Sequence, residues 1–169
     1  MPPKHGRILG MPPQEDADAQ RLDLVRAADW YRLKLGWPVT FDAVHRRLIL
    51  RTGEPLDAVV LPDWPADTVV QHRERNLQAG PVCVDTTTTW WTILTEPRPP
   101  AHADIAPKLR SRRVHTIPPG GQVIVAHPQD TCHWRRAPEP SSRLPPWTTV
   151  ITAANRTVDR PCQGPRSHR

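Results

Sequence analysis

His115, His127, Cys132 and His133 are the side chains whose types and proximity come nearest to a metal centre in this sequence. Zinc accepts imidazole and thiolate, but its sites present ligands in pairs, two to five residues apart, on both sides of a loop. Only His127 and Cys132 come close to that spacing, and eight histidines in a basic chain cluster by chance, so no metal site is expected. Nucleophilic catalysis has no better support. The chain contains no GxSxG elbow, no HExxH, no Walker loop and no GxGxxG. Cys83 sits among valines in the run PVCVD, the setting of a buried, unreactive thiol. Gly120-Gly121 follows two prolines and suits a tight turn better than a phosphate cradle.

Paired carboxylates are the remaining route to metal-assisted chemistry. Two-metal nucleotidyl transfer needs acidic groups that hold two cations roughly 3.5–4 Å apart. A strand supplies them as D-x-D or D-x-E, because alternate residues share a face. Asp16 and Asp18 have that spacing but fall in a helical segment, where i and i+2 diverge. Asp85 ends a strand with Cys83 two positions before it. No catalytic residue and no cofactor is therefore assigned.

The cations offer a different chemistry. Lys plus Arg number 23 against 17 Asp plus Glu, a net charge of +6, which is compatible with an anionic partner. All but three of the cations are arginines, the better side chain for bidentate phosphate contact and stacking. Arg46-Arg47, Arg110 with Arg112-Arg113, and Arg135-Arg136 fall on turns or strand ends. In His133-Trp134-Arg135-Arg136 an indole stands beside two cations, the local composition of a single-strand DNA or RNA contact. The competing reading is a solvated basic loop whose Trp covers the edge of the core. Among the seven tryptophans, Trp30, Trp37, Trp90 and Trp91 accompany predicted elements and are assigned to the core. Trp64, Trp134 and Trp147 lie in Pro-flanked loops and are assigned to surface or partner contact.

The elements that must position these groups follow from periodicity. Leu24, Ala28, Tyr31 and Leu35 share one helical face, acidic residues open the segment, and Gly36 before Trp37-Pro38 stops it, which predicts a helix over 15–35. Segments 38–41 and 47–51 form a hairpin around the polar turn 42–46. An apolar run at 58–61 precedes a helix over about 66–78, capped by Asp63 or Asp67. Strands at 81–85 and 90–96 flank a Thr-rich turn, a short helix covers about 104–111, and strands at 114–117 and 122–127 flank Pro118-Pro119-Gly120-Gly121. Residues 128–158 are a Pro/Arg-rich segment with a short helix at 148–158 packing on the 14–127 core. The ends, 1–13 and 159–169, are expected to be disordered. The order predicts an α+β domain: a small mixed sheet, built from the 38–51, 81–96 and 114–127 strands, on a long N-terminal helix, with Pro-rich flanks.

Composition bounds the setting. A chain of 169 residues with 37% apolar content can bury one core without staples, and its 22 prolines are concentrated near the ends and in loops. Three cysteines without a CxxC pair, no signal-like h-region and no long apolar run point to a cytoplasmic protein with no membrane contact.

Several segments together resemble a known family. They are Trp30-Tyr31-Arg32-Leu33 into Leu35-Gly36-Trp37-Pro38-Val39, then Gly80-Pro81-Val82, Trp91-Thr92-Ile93-Leu94-Thr95-Glu96-Pro97, Ile117-Pro118-Pro119-Gly120, and Leu144-Pro145-Pro146-Trp147 ahead of Val150 and Ala153-Ala154. In that order, over about residues 25–156, they resemble small bacterial proteins related to the N-terminal domain of bifunctional DNA primase/polymerases (prim-pol). The resemblance implies an α+β fold and template-directed nucleotidyl transfer with Mg or Mn, carried by a strand-borne acidic pair and a nearby His. This sequence has no matching D-x-D or D-x-E, and nothing marks His127 as that His. The resemblance therefore implies a degenerate, non-catalytic relative. Together with the basic loops read above, the expectation is a module that binds nucleic acid through Trp134, Arg135, Arg136, Arg110, Arg112 and Arg113. Two alternatives stay open: an adaptor that contacts another protein through its Pro-rich, Trp-bearing C-terminal segment, and an active primase/polymerase with unrecognised ligands.

Overall fold

In β3 (Asp57–Pro62) both alternating sets of side chains are apolar, Ala58 and Val60 on one face and Val59 and Leu61 on the other. Such a strand must be covered on both sides. The computed structural model describes residues 14–75, 80–85, 87, 89–102 and 105–159, and it meets that demand with two sheets and four helices. The expected disordered ends 1–13 and 160–169 lie outside the described residues, as do 76–78 of the second helix and residue 104 of the third.

In chain order the elements are α1 (Gln14–Trp30), continued by a π-helical turn over Tyr31–Leu35, β1 (Val39–Asp42), β2 (Arg47–Arg51), β3, α2 (Asp63–Arg75), β4 (Val82–Val84), β5 (Trp90–Thr95), α3 (Pro107–Ser111), β6 (His115–Thr116), β7 (Gln122–Val125), β8 (Trp134–Arg136) and α4 (Trp147–Val158). The class is α+β with a long N-terminal helix, as the sequence implies. The strands form two sheets rather than one, in the orders β1-β2-β7 and β6-β3-β5-β4-β8, and every pairing is antiparallel. The turn at 118–121 makes the division, because β6 ends in one sheet and β7 begins in the other. Thr52 holds that turn: its hydroxyl donates to the Pro118 carbonyl (2.7 Å), and its backbone exchanges hydrogen bonds with Gly120 and Gly121. A Cβ on Gly121 would lie 2.5 Å from Ile117 Cγ2 and 2.8 Å from the Pro118 oxygen, so only glycine fits.

Each face of the five-stranded sheet has its own core. Val59, Leu61, Val82 and Ile93 are covered by Ala66, Val69 and Val70 of α2, Leu109 of α3, and Val150, Ile151 and Ala154 of α4. Ala58, Cys83, Leu94 and Trp134 face the other way, against Val39, Leu48, Leu50, Val123 and Val125 of the small sheet and Ala27, Ala28 and Tyr31 of the N-terminal helix. The predicted helical face is the buried one: Ala28 and Tyr31 are buried, with Leu24 and Leu35 packed at its ends. Gly36 ends the segment at φ +68°, a conformation that favours glycine.

Two aromatic anchors tie this second core together. Tyr31 is fully buried, stacks on Trp37 (5.9 Å between centroids, 11° between planes) and donates from its hydroxyl to the Ala126 carbonyl at 2.7 Å. Burial pushes its phenol well above the usual titration range. Trp134 lies opposite Cys83 on β8, and its indole N–H donates to the His127 carbonyl at 3.0 Å. The 128–158 segment is thus woven into the fold, supplying an edge strand and a helix. Among the described residues no helix is long and apolar enough to cross a membrane.

Two substitutions test these anchors by urea unfolding. Tyr31→Phe removes a part-buried hydrogen bond and is expected to lose about 0.5–1.5 kcal/mol. Trp134→Ala is expected to lose about 3–5 kcal/mol, the range for deleting a buried aromatic ring. An unchanged midpoint for Trp134→Ala would return that ring to the surface.

Candidate ligand cleft

α2 begins where β3 ends. The Asp63 N–H donates to the Thr89 carbonyl (2.9 Å), which ties the start of the helix to the turn between β4 and β5. Asp63 occupies the first turn, where a carboxylate offsets the positive end of the helix dipole, and one of its oxygens accepts from the Trp64 N–H at 2.7 Å. Asp67 follows four residues later on the same helical face and accepts from the Gln71 amide at 2.7 Å. This face forms one wall of an open cleft of about 800 Å³. The loop before β8 and β8 itself form the other wall, with Thr131, Cys132, Trp134 and Arg135, and Val84 and Trp91 complete the lining.

The cleft separates its charges. Two carboxylates stand on the α2 wall and one guanidinium on the β8 wall, and none of the three is in an ion pair among the described residues. Indoles fill the space between. Trp64 is 43% exposed, Trp91 is half-buried with its N–H lacking a hydrogen-bond partner among the described residues, and Trp134 is buried. Such a site suits a flat ligand that carries hydrogen-bond donors at one end and negative charge at the other.

Four expectations from the sequence need correction. Trp134 is 5% exposed, so its ring is a core residue and not a stacking platform; its indole turns inward because β8 pairs with β4. Trp147 is 3% exposed at the start of α4, and only Trp64 of the three loop-assigned tryptophans is open. Arg135 and Arg136 are both exposed; of the two only Arg135 lines the cleft, and the bulged β8 pairing sets Arg136 opposite Val82. Arg110, Arg112 and Arg113 are exposed just before β6, at the opposite edge of the five-stranded sheet. Four strand spacings of ~4.8 Å separate the two edges, so the basic groups do not form one patch. In the C-terminal segment named for partner contact, Pro138, Pro145 and Trp147 are buried, while Pro140 and Pro146 are exposed.

The net charge is distributed unevenly. Lys4, Arg7, Arg160, Arg166 and Arg169 fall in 1–13 and 160–169, which contain no acidic residue. These five cations leave only +1 of the +6 for residues 14–159. Arg46 and Arg47 are also committed, to Gln20 and Asp42.

Three carboxylates outside the cleft, Asp42, Asp85 and Asp130, serve turns. Asp42 accepts from the Val44 and His45 amides, from His45 Nδ1 (2.8 Å) and from Arg47 Nε (3.1 Å). Asp130 repeats the arrangement with the Cys132 and His133 amides and His133 Nδ1 (2.6 Å). Partial burial alone would raise the carboxyls of Asp130 and Asp85. The hydrogen bonds outweigh it and hold both below the usual range: for Asp130 those of His133, and for Asp85 those of the Thr87 hydroxyl and the Trp90 and Thr89 amides. His127 Nε2 lies 3.5 Å from Asp23, and His115 rests beside Trp90. The histidines named with Cys132 are thus dispersed, and among the described residues no three His, Cys, Asp or Glu side chains converge as a metal site would require. Burial pushes the Cys83 thiol up, as an unreactive cysteine requires.

Sequence reasoning treated Asp63 and Asp67 as rival helix caps and missed that both face one cleft. The i, i+4 spacing of D-W-P-A-D was the available signal. Comparison with protein-family models, curated proteins and solved structures finds no match to this chain.

The turn carboxylates set the acid response. The His45 side chain, before all else, holds Asp42 down at about 2, against an ordinary 3.8. A depressed carboxyl contributes stability that is complete above its unfolded value and fades as pH falls toward its folded one. Carbon-detected titration is expected to place the Asp42 midpoint near 2, and the stability gap between wild type and Asp42→Asn should be present at pH 5–6 and close as pH falls toward 2. A midpoint near 3.8 would show that the turn contributes nothing.

Proposed function

We propose that this protein is a non-catalytic module that binds single-stranded nucleic acid, with one nucleotide unit seated in the cleft between α2 and β8. The observation that carries this reading is the exposed Trp64 indole on the same cleft as Arg135, which is in no ion pair among the described residues. An aromatic face with a nearby cation is the minimal single-strand platform, one stacking on a base and the other meeting its phosphate. Arg136, exposed on the next position of the same edge strand, stands where a following phosphate would pass. The prim-pol resemblance of residues 25–156 supports the ligand class. The segments that carry it are largely structural here: Gly80 is packed so closely on Pro145 that a Cβ would lie 2.2 Å from its Cδ, and the Glu96 N–H donates to the Pro145 carbonyl at 2.9 Å. The non-catalytic part of the reading rests on Asp85, whose two oxygens serve the β4–β5 turn, and on Asp63 and Asp67 having no third acidic or imidazole partner among the described residues.

Fluorescence anisotropy with a labelled single-stranded oligonucleotide tests the proposal. Trp64→Ala removes one stacked base and is expected to weaken binding roughly ten-fold or more, as base–aromatic stacking is worth ~1–3 kcal/mol. With Arg135 and Arg136 as the phosphate contacts, log affinity should fall with log salt at a slope of about −1.4, and Arg135→Ala should reduce it to about −0.7. A slope steeper than about −3, unmoved by Arg135→Ala, would place the phosphates on the terminal cations and refute the cleft. With Mg²⁺ or Mn²⁺, nucleotides and a template, the protein is expected to extend nothing. Extension lost in Asp63→Asn would make it an enzyme.

A further inference from the structure

Carboxylates in a nucleic-acid cleft need a reason, because they repel phosphate. Asp63 and Asp67 are not explained by helix capping alone. A single acidic residue in the first turn offsets the helix dipole, and Asp67 stands a full turn further along. Nor does an ion pair hold them in place, since neither has a cationic partner among the described residues. Both line the cleft from the wall opposite Arg135.

An ionised carboxylate only accepts hydrogen bonds. Whatever seats against this wall must therefore present N–H groups and keep its negative charge on the far side. Cytosine, adenine and guanine carry an exocyclic amino group on the base edge. Thymine and uracil present carbonyl oxygens there, on either side of their single ring N–H, and a carbonyl turned toward a carboxylate is repelled. With the phosphate on Arg135 and the ring stacked on Trp64, Asp63 and Asp67 of the same helix would be the groups that meet the base edge. Each carboxylate has one oxygen already occupied, Asp63 by the Trp64 amide and Asp67 by the Gln71 side chain, which fixes its orientation and leaves the other oxygen for the ligand.

We infer that Asp63 and Asp67 make the cleft selective, so that it accepts amino-bearing bases and rejects thymine and uracil. The inference rests on the single-strand reading above and goes beyond it by naming the residues that determine specificity and the base chemistry they select.

The test compares oligo-dC with oligo-dT of equal length at pH 7.5 on the full chain. Oligo-dC is expected to bind roughly ten-fold more tightly, the scale of one good base-edge contact. Asp67→Asn and Asp63→Asn keep the shape and the existing acceptor oxygen while adding a donor, so they should bring the two affinities together, chiefly by strengthening oligo-dT. Circular dichroism melts establish that the variants fold. Equal binding of both oligonucleotides by the wild type, unchanged in the variants, overturns the selectivity and leaves the single-strand reading standing. Failure to bind either oligonucleotide at low salt overturns the single-strand reading itself. An Arg-rich peptide that binds the wild type, loses affinity in both Asp variants and finds no oligonucleotide competitor would assign the cleft to a cationic protein segment and overturn both.

Discussion

The burial of both faces of the five-stranded sheet is the constraint from which the rest of the fold follows. Strands β3, β4 and β5 are apolar on both sides, and no surface of that kind can be left to water. One face takes α2, α3 and α4. The other takes the three-stranded sheet and the N-terminal helix. Because the small sheet lies against the large one, the chain must cross between them, at 52–56, at the 118–121 turn and again between β7 and β8; Thr52 ties the first two crossings together through its bonds to Pro118, Gly120 and Gly121. Tyr31 closes the second core from the helix side, through Ala126 at the far end of β7.

The cleft is a by-product of that closure. β8 is only three residues long and joins the sheet at a bulged register beside β4, so it does not fill the space under the first turn of α2. What remains is a gap whose walls are fixed by backbone: α2 through Asp63 and Thr89, β8 through the turn that Asp130 caps and the Trp134 anchor. Charged side chains standing on such supports keep their separation without pairing, which an isolated Asp and Arg on loops would not do. The backbone of both walls is thus fixed, and a ligand of the proposed kind would meet walls already in place.

Local features of the sequence were sufficient for much of the fold. The Leu24–Ala28–Tyr31–Leu35 spacing and Gly36 locate the first helix and its end, and the alternation in 38–51 and 81–96 locates the strands. β8 was not legible, since Trp-Arg-Arg between two Pro-rich stretches has neither length nor alternation, and only its pairing with Cys83 and Val82 turns Trp134 inward. The splitting of the strands into two sheets was equally hidden, because it depends on which partner each strand meets and not on its own pattern. The candidate site suffered most. Arg110, Arg112 and Arg113 look like companions of Arg135 and Arg136 in a list of basic pairs, yet the strand order places them at opposite edges. Asp63, Trp64 and Asp67 were within reach of a helical-wheel argument, but that Arg135 stands across from them is a fact of tertiary structure.

The distribution of charge bears on how affinity and selectivity divide. Residues 14–159 carry a net +1, so they would contribute little long-range attraction to a polyanion. The five terminal cations can supply attraction, but point charges on such segments meet any phosphate alike and carry no information about the base. Discrimination requires donors and acceptors at fixed positions, and among the described residues the cleft is where unpaired carboxylates, an unpaired guanidinium and an exposed indole face one another. If the cleft seats a nucleotide as proposed, its acidic wall would lower affinity for every nucleotide and lower it least for those that can hydrogen-bond to it. That is the arrangement by which a weakly attractive surface becomes a selective one.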